Sequence, residues 1–248
     1  MSRDQPRVSV VIPTHNEALS IGRVLADLPA EIVTEVLVVD SNSTDGTPEI
    51  ASRLGARVIQ EPRRGYGRAC LTGLAAANSP DVVVFLDGDY SDRPSELPIL
   101  LAPIFDGPPE GRADITLGSR LHSQRSAGAL PWHQVFGNRL AASLIRLLYA
   151  RRYRLDISDL GPFRAGRADV LRALALEETT YGWAVEMILK GALAGYRVVE
   201  VPVSYYPRIG KSKISGTLKG TFGAGWFILS LIVRYYFRHR RAGATRAA

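Results

Sequence analysis

Short runs of β-branched and aliphatic residues recur along the chain with helical patterns between them, and this alternation limits the fold more than any other feature. Val8–Ile12, Val36–Val39, Arg57–Gln60, Val82–Leu86, Ile115–Leu117 and Val198–Tyr205 read as strands. Near-continuous apolar strands separated by helices belong to a mostly parallel sheet buried on both faces. Ile21, Val24, Leu25 and Leu28 fall at i, i+3, i+4 and i+7, which gives one apolar face to a helix starting near Glu17. Thr47, Pro48 and Glu49 read as an N-cap, an N1 proline and an early acid. Leu71–Ala77, Glu96–Phe105, Val135–Tyr149 and Ala184–Ala194 supply further helices, and residues 158–164 (SDLGPFR) a loop. The expected class is α/β, with one domain over residues 1–217 and a C-terminal apolar helix with a basic tail over 218–248. The 248 residues are 46% hydrophobic and 22% charged, which excludes a disordered or collagen-like chain.

Chemistry concentrates where the strands end. Residues 82–92, VVVFLDGDYSD, form a buried strand that breaks off in Asp87-Gly88-Asp89, with Asp92 and Pro94 close behind. Two carboxylates there suit one hard divalent cation, Mg²⁺ or Mn²⁺, with positions left for water and substrate phosphates. Open α/β sheets bind ligands at that edge. An isolated Asp-x-Asp is equally a helix-capping turn, but two other strand ends are as polar: Pro13-Thr14-His15-Asn16-Glu17 and the segment Asp40 to Thr47. The glycines of RRGYGRA (63–69) would let backbone N–H groups approach a phosphate or nucleoside. A dinucleotide fingerprint is absent, because Cys70 stands where its third glycine belongs and the motif follows the third strand instead of the first. His122, His133 and His239 show no metal-ligand spacing, and Trp183 either stacks on a sugar or packs in the core.

Read in order, IPTHNE, VVDSNSTDGT, RRGYGRA, FLDGDYSDRP, GSR (118–120), SDLGPFRA (158–165) and VPVSYYPRIGKSKISGT (201–217) resemble the motifs of family 2 glycosyltransferases of the GT-A fold. Within that family they are most similar to the branch that moves a hexose from a nucleotide diphosphate to polyprenyl (dolichyl-type) phosphate. The resemblance implies a Rossmann-like domain in which Pro13, His15, Glu17 and Asp40 hold the base and ribose. It implies that Asp87, Gly88, Asp89 and Arg208 serve the donor diphosphate, with Asp87 and Asp89 holding Mg²⁺ or Mn²⁺. His15 stands where mannosyl members often carry tyrosine, and Ser91 at the place of a metal-ligating glutamine. On the acceptor side the resemblance points to Arg120, Arg139, Ser143, Arg208, Lys211 and Lys213, since guanidinium forks match phosphate oxygens. Arg139 and Ser143 lie four apart and share a helix face. Catalysis would rest on Asp89, Asp159 and Arg208, with Asp159 as a base or orienting carboxylate. Glu186 is the second such candidate, or it orients the Arg and Lys loop. A phosphate acceptor is already anionic and asks little of a base. Single displacement would invert the anomeric centre.

Residues 1–200 hold 22 basic and all 24 acidic side chains, whereas nine basic residues and no acid follow Glu200. Such a cationic end calls for phosphate, a lipid surface or nucleic acid. The resemblance selects a UDP- or GDP-hexose, polyprenyl phosphate and a membrane surface, and no nucleic acid. Gly220–Val233 runs 14 residues without a charge, too short to cross a bilayer. Trp226, Phe227, Tyr235 and Tyr236 at its rims, with Arg238, His239, Arg240 and Arg241 beyond, suit an interfacial helix; a buried or dimer-forming helix is the alternative. A single cysteine and no apolar h-region after MSRDQPR place the expected chain in the cytoplasm, peripheral on the inner membrane face. A homo-oligomer and a separate membrane partner protein both stay open. Two enzyme readings compete. FLDGDYS fits the nucleophile motif of haloacid-dehalogenase-type phosphatases, but it closes the fourth strand instead of the first, and Lys190 is the sole lysine before residue 211. A GT-A glycosyltransferase acting on a soluble or protein hydroxyl would need a true base.

Overall fold

Alternate residues of the apolar strands face opposite sides of the sheet, so runs such as Val82–Leu86 are buried twice over. In the computed structural model, which describes residues 5–121, 132–210 and 218–246, the strands β1 (Val8–Thr14), β2 (Val33–Asp40), β3 (Arg57–Gln60), β4 (Val82–Phe85), β5 (Ile115–Ser119), β6 (Arg164–Arg167) and β7 (Val198–Pro202) form one sheet in the order β3-β2-β1-β4-β6-β5-β7. All pairings are parallel except those of β6, which runs against both β4 and β5. Val11, Leu37, Val39, Val83 and Phe85 pack on one face of the sheet, and Val10, Ile12, Val38, Val82, Val84 and Leu86 on the other. Each such side chain contributes about 1.5–3 kcal/mol by leaving water.

Helices α1 (Ile21–Ala26), α2 (Thr47–Arg53), α3 (Tyr66–Ala76), α4 (Leu97–Phe105), α5 (Trp132–Ile145), α6 (Arg151–Tyr153), α7 (Ala168–Ala173), α8 (Trp183–Leu193) and α9 (Leu218–Arg246) follow, with a π-helical turn at Arg146–Ala150. α9 packs on α5 and α8, and its Leu231 and Ile232 are buried in the same cluster as Val11 and Trp183. The buried Tyr149 hydroxyl donates to the Ile232 carbonyl at 2.9 Å.

Three sequence expectations are corrected here. Helix α1 starts at Ile21, because the Ser20 and Ile21 amides first close a turn on the Glu17 carbonyl. Thr47 is the first helical residue of α2 and not its cap. Gly46 takes the cap position at φ 87°, and Thr47 Oγ1 instead donates to Asp45 at 2.5 Å and accepts the Glu17 amide at 2.8 Å. SDLGPFR is not loop throughout, since its last residue, Arg164, opens β6 inside the sheet.

Candidate active site

Register brings the polar strand ends level. Thr14 at the end of β1 pairs with Asp40 at the end of β2, while β4 stops at Phe85 so that Leu86 to Asp89 continue beyond the ladder. A Cβ on Gly88 would meet Thr14 Cγ2 at 3.0 Å and Glu17 Cγ at 3.4 Å, so glycine lets the Asp-Gly-Asp turn lie against the IPTHNE loop. Asp89 is buried; its Oδ1 accepts the Ser91 amide at 2.9 Å and its Oδ2 meets Arg208 Nη2 at 2.9 Å. The segment after β7 is stitched over this turn. The Ile209 amide donates to the Asp89 carbonyl at 3.0 Å, the Tyr206 amide to the Ser91 carbonyl at 2.9 Å, and Asp92 bridges to Tyr205. The Arg93 guanidinium lies 4.3 Å from the Tyr90 ring centre and 3.8 Å from that of Tyr206.

The electrostatics of this turn are those of crowded acids. Burial and the neighbouring Asp89 charge push the Asp87 carboxyl up to about 7. Burial and the Asp87 charge hold Asp92 well above the carboxylate range, and both its oxygens, like the Ser91 hydroxyl, are buried without a hydrogen-bond partner. Among the described residues no three His, Cys, Asp or Glu side chains are placed to hold a metal together.

On the β1–β2 side the two loops order each other. Asp40 accepts Thr14 Oγ1 at 3.0 Å, the Ser43 amide at 2.9 Å and Ser43 Oγ at 2.5 Å. His15 Nδ1 donates to the Ser41 carbonyl at 2.7 Å. Asn16, at φ 56°, takes the Thr44 amide on its side-chain oxygen at 2.8 Å. Pro13, His15 and Glu17 stay partly exposed beside these buried anchors.

Opposite, Arg120 forks onto Asp159, with Nε to Oδ2 at 2.8 Å and Nη2 to Oδ1 at 2.7 Å. Asn138 of α5 donates to Asp159 Oδ1 at 2.6 Å, and the Arg120 amide to Oδ2 at 2.7 Å. Glu200 at β7 receives the amides of Ser158 and Asp159 at 2.9 and 2.8 Å. Although burial works the other way, Arg120 and these donors hold Asp159 below the usual carboxylate range. Of the two roles expected for Asp159, base or orienting carboxylate, these contacts are those of the second. The Glu186 carboxylate accepts the amides of Glu177 and Glu178 and meets Lys190 at 2.9 Å and the Tyr235 hydroxyl at 2.9 Å; Lys211 and Lys213 of the loop it was expected to orient lie outside the described residues.

RRGYGRA makes no phosphate cradle. The Gly67 and Arg68 amides donate to the Thr180 and Thr179 carbonyls, and a Cβ on Gly67 would sit 2.4 Å from the Glu178 carbonyl and 2.5 Å from Trp183 Cβ. Trp183 itself is fully buried, edge-on to Phe85 at 4.6 Å, so it packs in the core. Arg139 and Ser143 share a face of α5 as expected, and that face is exposed. Lys211 and Lys213 lie outside the described residues. Sequence reasoning missed Arg164, whose buried guanidinium donates to the Ala184 carbonyl at 2.7 Å and to that of Gly161 beneath the Asp-Gly-Asp turn. It also missed Asn138 and Glu200. An arginine inside SDLGPFRA was the one available signal.

A parallel sheet with one reversed strand and acids at its carboxyl edge defines the class of GT-A glycosyltransferases. The solved structure of glucosyl-3-phosphoglycerate synthase from Mycobacterium tuberculosis, in complex with Mn²⁺, UDP and glucosyl-3-phosphoglycerate, superposes with a TM-score of 0.72 at 24% identity over 93% of this chain and 80% of that one. Residues 9–175 match the glycosyl transferase family 2 model, and the chain belongs to that family. It is 40% identical over 215 residues to an uncharacterized glycosyltransferase of Mycobacterium tuberculosis, covering 86% of this chain and 92% of the relative. It is 34% identical over 209 residues to a dolichyl-phosphate hexose transferase of Haloferax volcanii, covering 84% of this chain and 86% of the relative. Family membership and fold make it a glycosyltransferase and set the phosphatase reading aside.

Proposed function

We propose that the chain transfers a hexose, with inversion, from a UDP- or GDP-sugar to a polyprenyl (dolichyl-type) phosphate. The observation that carries this reading is the Asp87–Asp89 pair with Arg208 fastened onto Asp89, which sets a guanidinium beside the carboxylates that would face the donor. The acceptor class follows the Haloferax relative, similar over most of both chains.

The donor set fits a divalent cation. Asp87 and Asp89 offer only oxygen, and burial together with their mutual repulsion raises Asp87, a cost that a cation would relieve. With no third acid or histidine placed to hold a metal together with them among the described residues, nucleotide oxygens and water would complete the shell, and the orphaned Ser91 hydroxyl is the further candidate ligand. Asp87 and Asp89 would hold Mg²⁺ or Mn²⁺ there, and the chemistry it would supply is neutralisation of the diphosphate leaving group. Pro13, His15, Glu17 and Asp40 are proposed to line the nucleoside, with Gly88 letting the diphosphate approach. Arg208 exchanges Asp89 for the departing phosphate, and Arg120, oriented by Asp159, meets the acceptor phosphate with Arg139, Ser143, Lys211 and Lys213.

A soluble acceptor is the second reading, and the structural neighbour named above has a phosphate-bearing one. A plain hydroxyl acceptor is less well served, because Asp159 and Glu186 are both saturated by donors. Among the described residues no helix is long and apolar enough to cross a membrane. A cytoplasmic, peripheral location is part of the proposal.

The test is a thermal-shift panel of UDP-, GDP- and dTDP-sugars with Mn²⁺, Mg²⁺ or EDTA on wild type and Asp89→Ala, followed by transfer assays on polyprenyl phosphate and on 3-phosphoglycerate. A metal-dependent shift with one nucleotide class, about 2.7 kcal/mol at a hundredfold excess over Kd, lost in the variant, is expected. Turnover on the soluble acceptor alone would replace the lipid reading, and no nucleotide shift would overturn the donor site.

A further inference from the structure

Tyr66 opens α3 at a place where the backbone has little freedom. Gly65 before it stands at φ 144°, and a Cβ there would run into the Thr179 carbonyl oxygen. After it, the Gly67 and Arg68 amides donate to the Thr180 and Thr179 carbonyls at 3.2 and 2.9 Å. The ring is fixed from its other side. It meets Trp183 edge-on at 6.2 Å between ring centres, and Trp183 meets Phe85 edge-on at 4.6 Å. Phe85 ends β4, two residues before Asp87, so this aromatic row leads the Tyr66 side chain to the strand end that carries the acids.

The hydroxyl on that ring is buried and has no hydrogen-bond partner among the described residues. Buried hydroxyls are nearly always bonded, and phenylalanine would pack on Trp183 as well, so the oxygen calls for a role. Of the charges around it, Asp87 acts on it most strongly. The other groups nearby are poor partners. The Cys70 thiol is a weak donor and acceptor, and Arg164 already gives its guanidinium to the carbonyls of Gly161 and Ala184. Asp89 is held by the Ser91 amide and by Arg208, whereas no comparable donor holds Asp87 among the described residues.

We propose that Tyr66 is a positioning residue: its hydroxyl donates to one carboxylate oxygen of Asp87 and leaves the other for the cation and the donor diphosphate. This deepens the reaction proposed above and rests on it. A ligating carboxylate that turns freely must be ordered when a cation arrives, and one held by a donor is ordered beforehand. Such donors commonly carry about ten- to a hundredfold in metal affinity. The inference also gives RRGYG a use. Its glycines, which cradle no phosphate, let the chain pass close enough to residues 178–180 to set the tyrosine beside the Asp-Gly-Asp turn.

Free Mn²⁺, read by electron paramagnetic resonance as the full chain is titrated at a fixed pH, tests this on wild type, Tyr66→Phe and Tyr66→Leu, with Asp89→Ala as the blank. Tyr66→Phe should weaken Mn²⁺ binding about ten- to a hundredfold. Its metal-free melting temperature should stay the same or rise, because the hydroxyl removed had no partner. Tyr66→Leu also loses the ring and should melt lower, yet bind Mn²⁺ no more weakly than Tyr66→Phe. In donor turnover, Tyr66→Phe should need more Mn²⁺ in the same proportion and reach the wild-type kcat once it is supplied, a rescue that a purely structural residue would not show. Unchanged Mn²⁺ affinity in Tyr66→Phe, a metal-free melting temperature lowered by more than about 2 °C, weaker binding still in Tyr66→Leu, or a kcat that excess Mn²⁺ does not restore would each overturn the positioning role. Wild type that binds no Mn²⁺ would overturn the metal site of the proposed reaction and this inference with it, whereas wild-type binding beside an unchanged Tyr66→Phe overturns this inference alone.

Discussion

Two carboxylates at the end of one strand repel each other, and the consequence is visible in Asp87, pushed up to about 7 by burial and Asp89. A carboxyl raised above its unfolded value binds more protons in the native state, so the metal-free chain should lose stability as pH rises through about 7. Metal binding needs the proton gone and has the opposite trend: calorimetry should show Mn²⁺ affinity about tenfold higher at pH 8 than at pH 6. Asp87→Asn should raise the metal-free melting temperature at pH 8 and abolish the Mn²⁺ response; a lower melting temperature would contradict this account. Asp159 behaves differently, because Arg120 holds its charge. Replacing it with Asn leaves a buried guanidinium short of its partner and should cost about 3 kcal/mol in urea titrations. With Asp159 proposed to orient Arg120, the pH-rate profile on a phosphate acceptor should keep its shape in this variant; loss of its basic limb would make Asp159 the base.

At the scale of elements, glycines separate packing from propensity. In α3 the Gly67 backbone runs against residues 178–180 and Trp183, and Gly67→Ala should destabilise by about 2 kcal/mol or more because its Cβ has no room. In α5 a Cβ on Gly137 meets nothing within 4 Å, so Gly137→Ala should stabilise by about 0.5–1 kcal/mol through helix propensity alone. Chemical denaturation of the two variants checks both signs. The same contrast explains why RRGYG looks like a phosphate loop in sequence and is a packing joint in space. Its glycines answer to a loop more than a hundred residues away.

For the whole molecule, α9 joins the core through Leu231 and Ile232 and the hydrogen bond from Tyr149. A chain cut after residue 217 should therefore melt lower and bind a hydrophobic dye, in contrast to the clean boundary that composition suggests at that point. Much of the sheet was legible beforehand, because β1, β2 and β4 are apolar runs that can be satisfied only by burial on both faces. The acids of the candidate site were legible for the same reason: Asp87 and Asp89 interrupt such a run where a ligand edge falls. β6 was not, since its four residues, Arg164–Arg167, hold two arginines and a glycine, and the buried guanidinium of Arg164 is stable only among carbonyls from residues 161 and 184. By itself, then, the sequence determined the α/β class, the family and the polar strand ends, all carried by local pattern. Only the tertiary structure decided which carboxylates are spent and which are strained, and that Asp159 serves Arg120, because each depends on partners distant along the chain.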